Sequence, residues 1–172
     1  MVRPAHKSDR KVVGCLWSDL LRSQAAIDDR FAAADDARER FDNDFFQWLR
    51  GDSRRMYVAV DDDGTLCGFV TAERWNTPPI FRECPGVYVD EIFVESGYRR
   101  RGHGRALLDA VREWGERIGA RELRAGVVAA NREGCAFWKN VGGDEIARTF
   151  TLTIDGSEEA APTRGSRIGF RM

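Results

Sequence analysis

One stretch constrains this chain more than any other. A strand-like run, Gly86 to Val94, leads into Glu95-Ser96-Gly97-Tyr98-Arg99-Arg100-Arg101-Gly102-His103-Gly104-Arg105. Beyond it Leu107, Val111, Trp114 and Ile118 recur at helical spacing, and Gly119 follows. The pattern predicts a strand, a turn, and a helix over about 104–118 that stops at the glycine. Strand, loop and amphipathic helix in that order call for a layered α/β arrangement. The loop has its own chemistry. Glycines let backbone N–H groups turn inward, a helix N-terminus adds about half a positive charge, and arginines add forked donors. A diphosphate fits such a loop.

Two familiar nucleotide loops do not match. A dinucleotide fingerprint needs Gly or Ala where Leu107 stands, and a Walker loop needs a closing Gly-Lys-Ser/Thr. A glycine turn with solvated arginines remains the bland alternative at this point.

The rest of the chain supplies the layers. Residues 8–28 read as a helix, capped by Ser8 or Asp9, with Val13, Trp17, Leu20 and Ile27 on its apolar side. Residues 36–50 read as a second helix, with Ala37, Phe41, Phe45 and Trp48 on one stripe. Residues 56–60 and 65–71 read as a hairpin around Asp61-Asp62-Asp63-Gly64. A proline-stiffened loop covers 75–86. A strand is expected at 123–129, a short helix from the Asn131 cap to about Val141, and Gly142-Gly143 after it. Clean alternation from Glu145 to Ile154 predicts another strand, 155–164 a polar loop, and 166–170 a last strand.

Composition narrows the class. The chain has 172 residues, and neither a linker nor a repeat divides it, so a single domain over 1–172 is expected. Lys and Arg number 27 against 28 Asp and Glu, which excludes a whole-protein basic field for nucleic acid. No apolar run approaches the ~20 residues of a membrane helix. Met1 to Lys7 has no apolar run behind its charges, so no secretory signal is expected. The scattered Cys15, Cys67, Cys84 and Cys135 read as reduced, small buried hydrophobes of a cytoplasmic protein. The three aspartates lack calcium-loop spacing, and His6 and His103 do not complete a zinc set, so no metal is expected.

Arg99-x-x-Gly102-x-Gly104 after Ile92-Phe93-Val94 resembles the acetyl-CoA signature of the GNAT superfamily of N-acetyltransferases. Asn131 followed by Phe137-Trp138 and Val141-Gly142-Gly143 is similar to that family's second block. The resemblance covers residues 56–143 well. It implies a GNAT-type α/β sandwich, a mixed and mostly antiparallel sheet of six to seven strands with helices on both faces. It further implies acetyl-CoA as cosubstrate, no metal, and a primary amine as acceptor.

The site residues follow from the same resemblance. The strands at 87–94 and 123–129 should splay to admit the pantetheine arm, with Ile92, Phe93 and Val94 offering backbone groups. The amides of Arg99, Arg100, Arg101, Gly102, His103, Gly104 and Arg105 match the pyrophosphate cradle. Asn131 matches a residue that contacts the cofactor arm. Trp138 stands where many relatives carry a tyrosine acid, and an indole N–H is no useful acid. Trp138 therefore reads as a packing wall. A base must deprotonate the ammonium acceptor. Glu91, Asp90 and Tyr88 are the candidates, and strict alternation lets only one of the two carboxylates face a given side unless a bulge intervenes.

Acids at Asp28, Asp29, Asp35, Asp36, Asp42 and Asp44 hint at a small cationic acceptor, and equally fit solvated helix faces. A catalytically silent CoA-binding regulatory module and an acetyltransferase acting on protein lysines or N-termini stay as alternatives. A homodimer is a habit of the family. Neither nucleic acid nor membrane is an expected partner.

Overall fold

The computed structural model describes residues 1–152. Two compact units divide it, one from Met1 to Gly126 and one from Val127 onward.

The first unit is built on a five-stranded sheet in sequential order: β1 (Val2–Pro4), β2 (Arg54–Val60), β3 (Leu66–Asn76), β4 (Pro85–Val94) and β5 (Glu122–Ala125). All neighbours are antiparallel except β4 and β5. The sheet is thus mixed and mostly antiparallel, as expected. The hairpin turn is closed by Gly64 at φ +85°, a conformation in which a Cβ would be strained.

Helix α1 (Arg10–Ile27) follows a one-turn 3-10 segment at Lys7–Asp9. Its Val13, Leu16 and Leu20 are buried against Met56, Val58, Phe69 and Phe93 of the sheet. Each such side chain contributes about 1.5–3 kcal/mol of burial. Helix α3 (His103–Arg117) covers the other face through Leu107, Leu108, Val111 and Trp114, all buried, and ends at Gly119 with φ +76°. Helices therefore lie on both faces.

Several boundaries differ from the sequence reading. The second helix is two pieces, α2 (Ala37–Asp44) and a 3-10 turn over Phe45–Leu49. Phe41 still stacks on Trp17 and meets Phe45 at a tilt, which satisfies the apolar stripe without a continuous α-helix. β1 escaped the sequence reading because three residues carry no period. The strand expected over 123–129 lasts only to Ala125.

Of the cysteines, Cys67 is buried, while Cys15 is exposed and Cys84 and Cys135 are intermediate. The expectation of buried thiols holds for Cys67 alone.

The second unit carries α4 (Arg132–Asn140), with the Asn131 carboxamide accepting from Gly134 N at 2.9 Å. Residues 145–152 form no strand. Ile146, Phe150 and Leu152 are exposed, and 153–154 of the expected strand lie outside the described residues. The expected strand at 166–170 lies outside the described residues, and the count is five strands among the described residues against six or seven.

Candidate active site

The site is organised by a β-bulge in β4. Opposite it, Thr71 pairs with Glu91 and the next residue, Ala72, pairs with Val89, so Asp90 is the extra residue. Below the bulge Val87 and Val89 face α3. Above it Glu91 and Phe93 lie on the α1 face, opposite Thr71 and Phe69. Tyr88, opposite Glu73, also takes the α1 face. The bulge thus sets Tyr88 and Glu91 on one side although they are three residues apart. A bulge does intervene, so strict alternation does not hold across 89–91.

Glu91 is held at both oxygens. Trp17 Nε1 donates to Oε1 at 2.8 Å, and Thr71 Oγ1 donates to Oε2 at 3.0 Å. Burial pushes its carboxyl above the ordinary range, while the two donors oppose that rise. A carboxyl raised in this way is a stronger proton acceptor, once ionised, than an ordinary carboxylate. Burial also raises the Tyr88 phenol, the negative charge of Asp90 adds to the effect, and a hydrogen bond with the Gly126 backbone opposes it.

β4 and β5 pair only from Gly86–Glu122 to Val89–Ala125. Ile92, Phe93 and Val94 keep their β3 partners, Val70, Phe69 and Gly68, and have no register partner in β5. The β4–β5 pairing therefore ends at the bulge, and within the first unit residues 92–94 are paired on their β3 side only. The Phe93 side chain is in the core, which leaves only its backbone for a ligand.

After a 3-10 turn at Ser96–Tyr98, the loop enters α3 through two left-handed residues, Arg100 at φ +63° and Gly102 at φ +88°. Gly102 caps the helix without a side-chain bond. The N–H groups of the first α3 turn have no carbonyl partner within the helix and face outward with its dipole. Backbone and dipole thus fit a diphosphate.

The arginine side chains are arranged otherwise than as a ring of phosphate forks. Arg99 turns back, with Nε donating to Val94 O at 3.0 Å and its guanidinium over the Phe93 ring. Arg101 lies over Tyr98 and donates to Asp61 Oδ2 at 3.0 Å. His103 Nε2 meets Asp61 Oδ1 at 3.0 Å. Arg100 and Arg105 are exposed.

Tyr88, Asp90, Glu91 and the backbone of 92–94 thus share one strand, which runs directly into the loop of 99–105. Asn131 and Trp138 belong to the second unit, where Trp138 is half-buried and meets Phe137 edge-on at 5.6 Å. Three residues escaped the sequence reading. Trp17 looked like part of an apolar stripe, Thr71 like a strand residue, and Asp61 like a turn residue. No local signal marks any of them.

Residues 17–142 match the acetyltransferase (GNAT) family, and the chain belongs to that family. An uncharacterized N-acetyltransferase of Methanocaldococcus jannaschii is 28% identical over 102 residues, 59% of this chain and 44% of that protein. The mycothiol acetyltransferase of Kineococcus radiotolerans is 31% identical over 121 residues, 70% of this chain and 37% of that protein. The chain thus spans less than half the length of either relative. A similar fold occurs in the aminoglycoside N-acetyltransferase AAC(6')-Iy, solved with a bisubstrate analog built on CoA. Its TM-score is 0.70 at 23% identity, covering 90% of this chain and 97% of that one. No helix among the described residues is long and apolar enough to cross a membrane.

Proposed function

We propose that this chain moves the acetyl group of acetyl-CoA onto the primary amine of a small acceptor that arrives as a cation. The observation that carries the reading is the placement of the Glu91 carboxyl. It sits just beyond the last β4–β5 pair, on the same face as Tyr88, on the strand that runs into the α3 loop.

The roles follow from that placement. The amides of the 99–105 loop and the first turn of α3 hold the diphosphate. The backbone of Ile92 to Val94 takes the pantetheine arm as an added strand and polarises the acetyl carbonyl. Acetyl-CoA supplies an activated thioester. Glu91, directly or through a water, removes a proton from the ammonium. The freed nitrogen attacks the carbonyl carbon, the C–N bond forms, and the C–S bond breaks. The departing sulfur takes a proton from Tyr88 or from water. Tyr88 shares the face of Glu91 and carries a proton to give, although burial and Asp90 make its phenol a weaker acid than usual. Asn131 and Trp138 are proposed contacts to the cofactor arm and its sulfur end. No step requires a metal.

Asp90 and Glu91 support a cationic acceptor. The helical acids support it less, since Asp28 pairs with Arg30, Asp36 with Arg40, and Asp42 with Arg38. A cytoplasmic location and a homodimer complete the proposal, the first resting on composition and the second on family habit.

Calorimetric titration of acetyl-CoA, CoA and NADH tests the reading. Saturable binding of the first two without NADH is expected, followed by thiol release with an amine panel that includes aminoglycosides and free amino acids. Absence of CoA binding in folded, cofactor-free protein overturns it. A catalytically silent CoA-binding module is the second reading, motivated by Trp138 at the usual tyrosine position. It predicts CoA binding with no turnover of any amine.

A further inference from the structure

The loop that opens α3 is fastened to a hairpin forty residues earlier in the chain. Asp61 begins that turn. Its N–H donates to Thr65 O at 2.9 Å, and its carbonyl accepts from Gly64 N at 3.0 Å. Its carboxylate is shared between Arg101 Nη1 on Oδ2 and His103 Nε2 on Oδ1, each at 3.0 Å. A carboxylate only accepts, so His103 Nε2 carries the proton. The Asp61 and His103 side chains are 13% and 10% exposed, which shields their bond from water, while Arg101 reaches Asp61 from the solvent side.

The two contacts straddle Gly102 at φ +88°, and Arg100 beside them stands at φ +63°. A left-handed arginine is a conformation that a free chain leaves readily. Something must hold it: Arg99 ties the near side of the loop to Val94 O, and the Asp61 pair ties the far side, across Gly102, to the hairpin. Charge gives no competing account. Asp61, Asp62 and Asp63 line one open depression with Arg101, Gly102 and His103, and Asp61 offsets the positive charge of Arg101. Three carboxylates beside an anion cradle lower its attraction for phosphate.

We propose that Asp61 is a positioning residue of the diphosphate cradle. It holds the Arg101 and His103 side chains against the hairpin, which keeps the amides of Gly102 to Arg105 aimed outward at the helix N-terminus. The proposal rests on the acetyl-CoA reading above.

Asp61→Asn and Asp61→Ala test it through three readouts: CoA affinity by calorimetry, turnover with acetyl-CoA against S-acetylpantetheine, and amide exchange over 99–106. CoA affinity is expected to fall about tenfold or more, as for a lost hydrogen bond to a charged group. The KM for acetyl-CoA should rise with kcat little changed. Turnover of S-acetylpantetheine, which has no diphosphate, should stay within about twofold, and exchange over 99–106 should quicken. CoA binding that is equal or tighter in Asp61→Asn overturns the proposal and makes Asp61 a repulsive charge instead. Equal losses on both thioesters also overturn it, because they report general damage. His103→Gln reads the same contact from the loop side if the alanine variant does not fold. A wild-type protein that binds no CoA overturns the function reading itself, and is separated from the other outcomes by involving no variant.

Discussion

The indole N–H of Trp17 in α1 and the carboxylate of Glu91 in β4 meet at 2.8 Å across 74 residues of sequence. The first helix is thereby joined to the strand that carries the proposed chemistry. The bond favours the charged form of Glu91, against the burial that disfavours it. Trp17→Phe keeps the ring against Phe41, whose centroid is 4.8 Å away, and removes the donor. The Glu91 carboxyl then moves further up, and the acid limb of kcat/KM shifts to higher pH. A pH–rate profile checks this, and an unmoved limb would show that Glu91 ionisation does not limit the rate.

Glu91→Gln separates chemistry from stability. As the proposed base it should lose about 10²–10⁴ in kcat. Its folded carboxyl is raised above its unfolded value, so the native state binds more protons than the unfolded chain between the two values. The stability it contributes is present at low pH and is lost as pH rises through the folded pKa. The neutral amide escapes that loss, so the melting temperature of the variant relative to wild type should rise as pH rises above the unfolded value of 4.5. Thermal melts across pH, run beside Asp90→Asn, test both halves.

Asp9 has the opposite sign. Arg3 grips both its oxygens, at 2.7 and 3.0 Å, and His6 N donates at 2.7 Å. The Arg3 guanidinium is the main cause holding its carboxyl below the usual 3.8, although burial opposes it. Its contribution is present above the unfolded value and is lost as pH falls through the lower folded one. Asp9→Asn should cost about 1–3 kcal/mol at pH 7 and progressively less in acid. Denaturant midpoints at the two pH values decide it.

Gly102→Ala tests the cradle. Nothing lies within 4 Å of the new methyl, so the cost is conformational, from φ +88°. A destabilisation of about 1–2 kcal/mol is expected, together with weaker CoA binding. Unchanged CoA affinity would remove this turn from the binding site.

The parts legible in the sequence were those with a period or a stop signal. The α3 stripe and the run of 86–94 lie close to their observed limits, and the Asp-Gly turn is where it is expected, but the second hairpin strand continues to Asn76 into the expected loop. The bulge at Asp90 was not legible, because alternation counts residues and an extra one leaves no mark on composition. Trp17 and Thr71 were hidden for another reason. A donor to a buried carboxylate has the same sequence pattern as a core residue, and only the fold reveals the partner. Asp61 was legible as a turn residue and illegible as an anchor, since its partners lie forty residues away. The alternation read over 145–154 points the other way, since its described part, 145–152, carries no strand.

The bulge also makes position along β4 a matter of counting. With Asp90 removed, strict alternation would return and either Glu91 and Phe93 or Val87 and Val89 would exchange faces. A one-residue deletion here should therefore do more harm than most substitutions of the same residue. Comparison of this strand with a distant relative is meaningful only after the bulge has been located in both, because a gap shifted by one place assigns the proposed base to the wrong side of the sheet.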